Sequence, residues 1–494
     1  MHHRRRGAAL RLLLVVAAAA TEQPGTLEAR VLEAMRTSVT QYAQRTTKEE
    51  AIKAVRAVFK APSDTDPKEL GRVLVLNGRV FADRHDHKVY GHLVTTAAAL
   101  QESNSVGSLA YLHESGASGH CAKKRPHGYV DDLPTTLIAR DGYANDTCGV
   151  LVPNPYFGTL SHHEKEERTL VAAAAQSPYT KRDPRAFWRG HVNKMHVPYE
   201  NATAPLLERE LKLRRYCEKE LGNVARFRGA LLTVEKPELF DIKAQKVDGD
   251  LWFNKKQFDR HECTRELHVP PKVFAKFKAK GVEAKHYLPK EYARYKILAH
   301  FPGGTSGSYS RNLNYLWAMG SAIMVWAHPA VEWYYVGLED GVSHVVFNAT
   351  TAVDVARRIM QEPVSARLRA GAARVQRELT CARCLNRYLL ATLEALRMRF
   401  RGDLALGGRD TARATLKGVD CSGLDLVEYV RDDAMTLGGK KLHGLKVLPP
   451  ATTRPRAGED VRCLAVLDAA FPDKNATTRG RGRSLGAAAA AFLG

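Results

Sequence analysis

YKILAHFPGGTSGSYSRNLNYLWAMGSAIMVW, residues 295–326, is the stretch that decides the fold class. YKILAHF (295–301) is a short, mostly apolar run of the kind that fills a buried strand, and SAIMVW (321–326) is a second. Between them lie a glycine- and serine-rich connection, GGTSGSYSR (303–311), and NLNYLWAMG (312–320), which has helical spacing up to a glycine stop. Strand, loop, helix, strand is a βαβ unit and predicts a parallel pair of strands. In open α/β sheets ligands bind beyond the carboxyl ends of the strands, so the 303–311 loop stands where a nucleotide diphosphate would be held. Gly303, Gly304 and Gly307 permit close backbone approach, the helix N-terminus offers orphan amides, and Arg311 adds a fixed cation. A plain connection between strand and helix accounts for the same residues equally well, and the pattern is not the dinucleotide fingerprint.

Outward from this unit the alternation continues. SHVVF (343–347) reads as a strand, a helix starts near Thr351, and helical spacing runs from Ala366 to Phe400. Upstream, VLVLNGRVFA (73–82) surrounds an Asn77-Gly78 pair, the strongest short hairpin signal. TTLIARD (135–141) reads as a buried strand ending before the Gly142 turn, which puts Asp141 at a strand's carboxyl end. A carboxylate there can face a cleft and take a proton from an attacking hydroxyl; an ion pair with adjacent Arg140 is the structural alternative. Leu27, Val31, Leu32 and Met35 mark an N-terminal helical region, and Ala204 to Gly222 is helically spaced. Beyond Arg401 the glycine- and arginine-rich pieces, Pro449-Pro450 and the terminal RGRGRSLGAAAAAFLG predict a partly disordered extension. The expected organisation is a signal segment at 1–20, a helical region at 21–71, α/β domains at 72–225 and 226–400, and an extension at 401–494.

The net charge of +22 comes from 75 basic and 53 acidic residues mixed along the chain without a long single-sign block. No nucleic-acid motif accompanies it, so nucleic acid is not an expected partner, whereas an anionic nucleotide-sugar is compatible. His2, His3 and Arg4 to Arg6 precede the apolar run Leu12 to Ala20, which is too short to cross a bilayer. A cleaved secretory signal is favoured, with an N-terminal membrane anchor as the alternative. Asn145, Asn201, Asn348 and Asn475 begin Asn-x-Thr triplets, and the even number of cysteines, eight, suits an oxidising compartment without fixing a connectivity.

Three patterns resemble metal sites, and in each the bland reading is favoured. Asp248-Gly249-Asp250 also suits a hairpin turn; His85-Asp86-His87 and His162-His163-Glu164 lack helical ligand spacing and read as solvated loops. Cys381-x-x-Cys384 is a redox pair, half a zinc site or, preferred here, part of the structural disulfides.

With these residues in place, the ordered segments resemble glycosyltransferase family 90, which contains the Rumi-type protein O-glucosyltransferases and the fungal capsule-associated xylosyltransferases. DDLPTTLIARDGY (131–143) is similar to the strand ending in the family's Val-Arg-Asp-Tyr motif, and PRAFWRGH (184–191) to its Phe-Arg-Gly segment. Residues 295–325 resemble the donor-binding strand, loop and helix, and EWYYVGLEDGVSHVVF (332–347) the Glu-Trp-Phe-Tyr segment and its following strand. The resemblance spans roughly residues 72–400. It implies a GT-B fold of two Rossmann-like, doubly wound domains facing across a cleft, and an inverting transfer of glucose or xylose from UDP-glucose or UDP-xylose. The acceptor would be a protein or glycan hydroxyl, the setting the lumen of the endoplasmic reticulum or Golgi, and no metal or other cofactor would be required. Asp141 takes the place of the catalytic base; Arg189, Gly190, His191, Gly307, Ser308, Tyr309, Ser310 and Arg311 take donor-binding places. Two departures stand out. An ungapped count from Gly320 puts Asn312 rather than Arg311 at the family arginine, and the segment after Gly190 has only Lys194 where Rumi-type enzymes carry a second arginine. A lumenal sugar- or nucleotide-binding protein of the same fold, without turnover, is the alternative function.

Overall fold

The structure is a computed structural model that describes residues 25–60, 70–83, 87–103, 107–114, 133–141, 149–158, 160–192, 223–247, 287–303, 312–328, 330–429, 445–446 and 450–472. In chain order its strands are β1 (Leu70–Leu76), β2 (Arg79–Ala82), β3 (Leu109–Glu114), β4 (Thr135–Leu137), β5 (Arg140–Asp141), β6 (Val150–Leu151) and β7 (Asp183–Val192). There follow β8 (Phe240–Val247), β9 (Tyr295–His300), β10 (Ala322–Trp326), β11 (Ala330–Val331), β12 (Val345–Phe347), β13 (Asp425–Val427) and β14 (Leu445–Lys446). The architecture is mixed α/β with two separate larger sheets. The chain divides into two units, one made of Met1–Met35 with Glu166–Leu385 and the other of Arg36–Lys165 with Asn386–Gly494.

The second unit holds a seven-stranded sheet in the order β14-β13-β2-β1-β3-β4-β6. β1 and β2 form the hairpin expected from Asn77-Gly78, with Leu76 opposite Arg79 and both turn residues at positive φ, 50° and 74°. That two-residue turn leaves no room for a crossover, so the pair is antiparallel. β13 adds to β2 and β14 to β13, both antiparallel; only β3, β4 and β6 run parallel. This sheet is therefore mixed in strand direction.

Helices Gly402–Leu406, Arg409–Leu416 and Val461–Ala470 pack Leu406, Leu416, Leu464 and Leu467 into one core with Val55, Leu74 and Phe81. The glycines and arginines of this region punctuate apolar pieces such as VRCLAVLDAA, and burial of those pieces holds them. A disulfide joins the buried Cys421 and Cys463, 42 residues apart. Closing a loop of that size removes chain entropy worth ~4 kcal/mol from the unfolded state. Cys421→Ser is expected to lower the unfolding free energy by about 2–4 kcal/mol in denaturant titration, and an unshifted midpoint would exclude a stabilising bridge.

The same unit buries a histidine pair. His92 and His113 stack with centroids 3.7 Å apart; His92 Nε2 bonds the Tyr111 hydroxyl at 3.2 Å and His113 Nδ1 the Thr136 hydroxyl at 2.9 Å. Burial pushes His92 down to about 3, and burial followed by repulsion from His92 pushes His113 well below the ordinary value. The unfolded chain then binds protons that the folded chain refuses, so stability is lost as pH falls from about 6.5 towards 3. The urea midpoint is expected to drop across that window and to drop less in His92→Gln; parallel profiles would show that other groups govern acid unfolding.

Two expectations are corrected. His162, His163 and Glu164 lie in the first turns of helix Leu160–Gln176, not in a solvated loop, because His163 falls on the buried stripe with Leu160 and Leu170. The continuous helix read from Ala366 to Phe400 is instead Glu362–Val375, a π-turn at Gln376–Thr380 and Ala382–Phe400, interrupted where Cys381 takes an extended conformation.

The first unit holds a five-stranded sheet, β12-β10-β9-β7-β8, in which every paired neighbour is parallel. β7 is flanked on both edges in this sheet, by β8 and by β9. Its alternation explains the placement. Ala186 and Trp188 join a core with Ile242, Ile297, Ala299, Phe301 and Trp326, while Phe187 and Arg189 project to the other face. Helix Asn223–Glu235 covers the core through Ala225 and Leu232. The helix expected at 312–320 is a single turn, Leu313–Leu316.

Candidate functional site

Taken in chain order, the five parallel strands occupy positions 2-1-3-4-5, so the strand order reverses between β7 and β9. Sheets of this kind bind ligands outside the carboxyl ends of the two strands flanking that reversal. Here those ends are Gly190-His191 on β7 and His300 to Gly303 after β9.

Arg226 joins the two ends. It stands in the first turn of helix Asn223–Glu235, donating from Nε to the Pro302 carbonyl at 2.9 Å and from Nη1 to the His191 carbonyl at 2.8 Å. Its guanidinium lies 5.8 Å from the Trp188 ring centroid and the residue is only 9% exposed. Among the described residues no carboxylate pairs with it. Burial lowers its pKa to about 10, which leaves it cationic at neutral pH. A buried cation satisfied only by carbonyls is costly until an anion comes to it, and the adjacent helix N-terminus favours the same sign of ligand.

Arg189 occupies a different setting. Its Nη2 donates to both Asp241 carboxylate oxygens at 2.9 Å, and Nη1 donates to the backbone carbonyls of Asp241 at 2.5 Å and Trp188 at 2.9 Å. The guanidinium packs 4.2 Å from the Phe187 centroid and 4.8 Å from that of Tyr287, and Tyr295 donates to the same carboxylate at 3.0 Å. This is a buried ion pair between adjacent strands, made through a single guanidinium nitrogen. Asp241→Ala would strand the Arg189 charge and is expected to cost about 3–5 kcal/mol of stability, measured by denaturation; a loss below about 1 kcal/mol would mean that Arg189 finds another anion.

Around Arg189 the backbone is fixed as well. Its carbonyl accepts from the Tyr292 hydroxyl at 2.9 Å and from Asn312 Nδ2 at 3.1 Å, so Asn312 is tied to the end of β7. At Gly190 a Cβ would stand 2.3 Å from the Trp188 ring, and the pairing of β7 with β8 shifts register between Gly190 and His191. Only glycine admits that approach. The His191 side chain is exposed.

His300, at the end of β9, is fully buried, neither ring nitrogen is hydrogen-bonded among the described residues, and its ring lies 6.0 Å from that of His328. Burial first, then the neighbouring His328, holds His300 well below the ordinary histidine range; burial brings His328 to about 4. Both are neutral at pH 7. Such imidazoles can donate and accept with hydroxyl groups.

The structure thus brings Arg189, Gly190, His191, Arg226, His300 and Asn312 to one edge. Gly307, Ser308, Tyr309, Ser310 and Arg311 lie outside the described residues. Asp141 closes β5 by its backbone, and its side chain lies outside the description. Asp248, Asp250, His85 and Asp86 are also outside it, and among the described residues no three metal-ligating side chains cluster. Of the triplet asparagines only Asn348 is described: its Oδ1 accepts from the Thr350 and Thr351 amides ahead of helix Ala352–Ile359. Among the described residues no helix is long and apolar enough to cross a membrane. Compared with known proteins, the chain matches no family model and no curated protein sequence.

Proposed function

We propose that the chain is an inverting O-glycosyltransferase of the family 90 kind, moving glucose or xylose from a UDP-sugar to a protein or glycan hydroxyl in the secretory pathway. One observation carries the reading. The Arg189-Gly190-His191 segment and the segment beginning at His300, far apart in sequence, end adjacent parallel strands at the point where strand order reverses. Those are the two segments that resemble the family's donor-binding motifs. Arg226 supports it further, as a buried cation between the same ends and suited to a diphosphate.

In this reading the UDP diphosphate lies over the carboxyl ends of β7 and β9, against Arg226 and the amides of the 303–311 loop. Asp141 removes the acceptor proton as its oxygen attacks the anomeric carbon, and the charge left on UDP is stabilised by those donors. Arg189 serves by positioning the end of β7. Incubating the full chain with UDP-glucose and UDP-xylose and following UDP release tests it: release above the uncatalysed rate is expected with at least one donor. The engagement of Arg189 by Asp241 favours a second reading, a nucleotide-sugar-binding protein without turnover. Tight UDP binding with no release from any UDP-sugar would select it.

A further inference from the structure

Cys381 and Cys384 are disulfide-bonded to each other across three residues, at the start of helix Ala382–Phe400. The two sulfurs are not equivalent. Cys381 is partly exposed, whereas Cys384 is 3% exposed. Cys381 is also the helix N-cap: its backbone is extended, its carbonyl accepts from the Leu385 amide at 2.9 Å, and its Sγ accepts from the Cys384 amide at 3.1 Å. An amide at a helix N-terminus stabilises a thiolate on the sulfur it points to, and the exposed Arg383 stands in the same turn. Cys384 Sγ lies 3.1 Å from the Arg377 carbonyl, an acceptor suited to a protonated thiol. The site is therefore built for one accessible sulfur that leaves or attacks as a thiolate and one buried sulfur that rests as a thiol. The Cys421–Cys463 bridge also sets a buried sulfur, Cys463 Sγ, against a carbonyl, that of Val419 at 3.3 Å, but it lacks an accessible sulfur, since both of its cysteines are buried.

We propose that Cys381 and Cys384 form a thiol–disulfide exchange site for small accessible thiols, with Cys381 as the sulfur attacked. An external thiolate attacks Cys381 Sγ, a mixed disulfide forms as the Cys381–Cys384 bond breaks, and the electron pair leaves on Cys384, which takes a proton from solvent. A second external thiolate attacks the external sulfur of the mixed disulfide, releasing the oxidised reagent and leaving Cys381 as the thiolate capped by the Cys384 amide. Two external thiols are oxidised to one disulfide while the protein bridge is reduced to a dithiol.

The test uses the full chain in glutathione buffers of stepped redox ratio, quenched with N-ethylmaleimide and mapped by peptide mass. Cys381 and Cys384 are expected to become labelled at ratios that leave Cys421 and Cys463 unlabelled, with about a tenfold or greater difference in the reduced-thiol requirement. In Cys384→Ser the Cys381 sulfur is expected to accumulate the glutathione adduct, and in Cys381→Ser the buried Cys384 is expected to resist it. Opening of both bridges at the same ratio in the wild-type chain would overturn the proposal. So would preferential adduct formation at Cys384.

Discussion

Asp141→Asn is expected to lower the sugar-transfer rate by about 10²–10⁴-fold, which corresponds to roughly 3–5.5 kcal/mol of transition-state stabilisation. Asparagine keeps the size and one acceptor oxygen of the carboxylate but cannot take the acceptor proton at neutral pH. In the proposed reaction UDP would be held through its diphosphate and nucleoside while the base acts on the attacking hydroxyl, so UDP affinity should stay within about twofold. Calorimetric UDP titration alongside transfer kinetics separates the two quantities. Arg140, the ion-pair partner suggested by the sequence, donates from Nη2 to the Gly149 carbonyl at 2.7 Å. Undiminished transfer by Asp141→Asn would remove this residue as the base, whatever the chain's activity.

Arg226→Met should weaken UDP binding by roughly 10- to 150-fold, the worth of a charge-assisted hydrogen bond of about 1.5–3 kcal/mol. Methionine fills much of the same volume against Trp188, so the apolar packing largely persists. What disappears is the cation and the bridge from His191 to Pro302 that fixes where the loop departs from β9. Arg226→Lys should recover only part of the affinity, because one ammonium on a flexible stem cannot hold both carbonyls in a planar fork. Uridine lacks the diphosphate and serves as the control, with affinity expected to change little. Equal UDP affinity in wild type and Arg226→Met, at matched melting temperature, would place the diphosphate elsewhere.

Local chemistry was the legible part of the sequence. Asn77-Gly78 could form little other than a tight hairpin, and two apolar runs around a glycine-rich loop required parallel β9 and β10. What escaped were facts that depend on partners distant in the chain. PRAFWRGH reads as a motif, and nothing local reveals that it is an interior strand, paired with β9 on one side and β8 on the other. Arg189 looked available for a ligand because its counter-ion, Asp241, sits on the neighbouring strand β8. Arg226 is illegible for the opposite reason: an arginine early in an ordinary helix reads as solvated until the strand ends it bridges are brought beside it. At 401–472 composition outweighed pattern, because three-residue β13 is too short to show alternation and the helix Val461–Ala470 is apolar nearly all round.

The placement of β13 beside β2 also sets the order in which the chain can mature. β2 ends at Ala82 and its partner begins at Asp425, so on the ribosome the hairpin of β1 and β2 waits until the chain has been made as far as Asp425. At ~5–20 residues per second that wait is on the order of tens of seconds, during which the outer edge of β2 offers unpaired backbone groups to any passing strand. The nascent chain therefore has a long interval in which a holding chaperone is useful, and a stop codon anywhere before Val427 would yield a product with that edge permanently open.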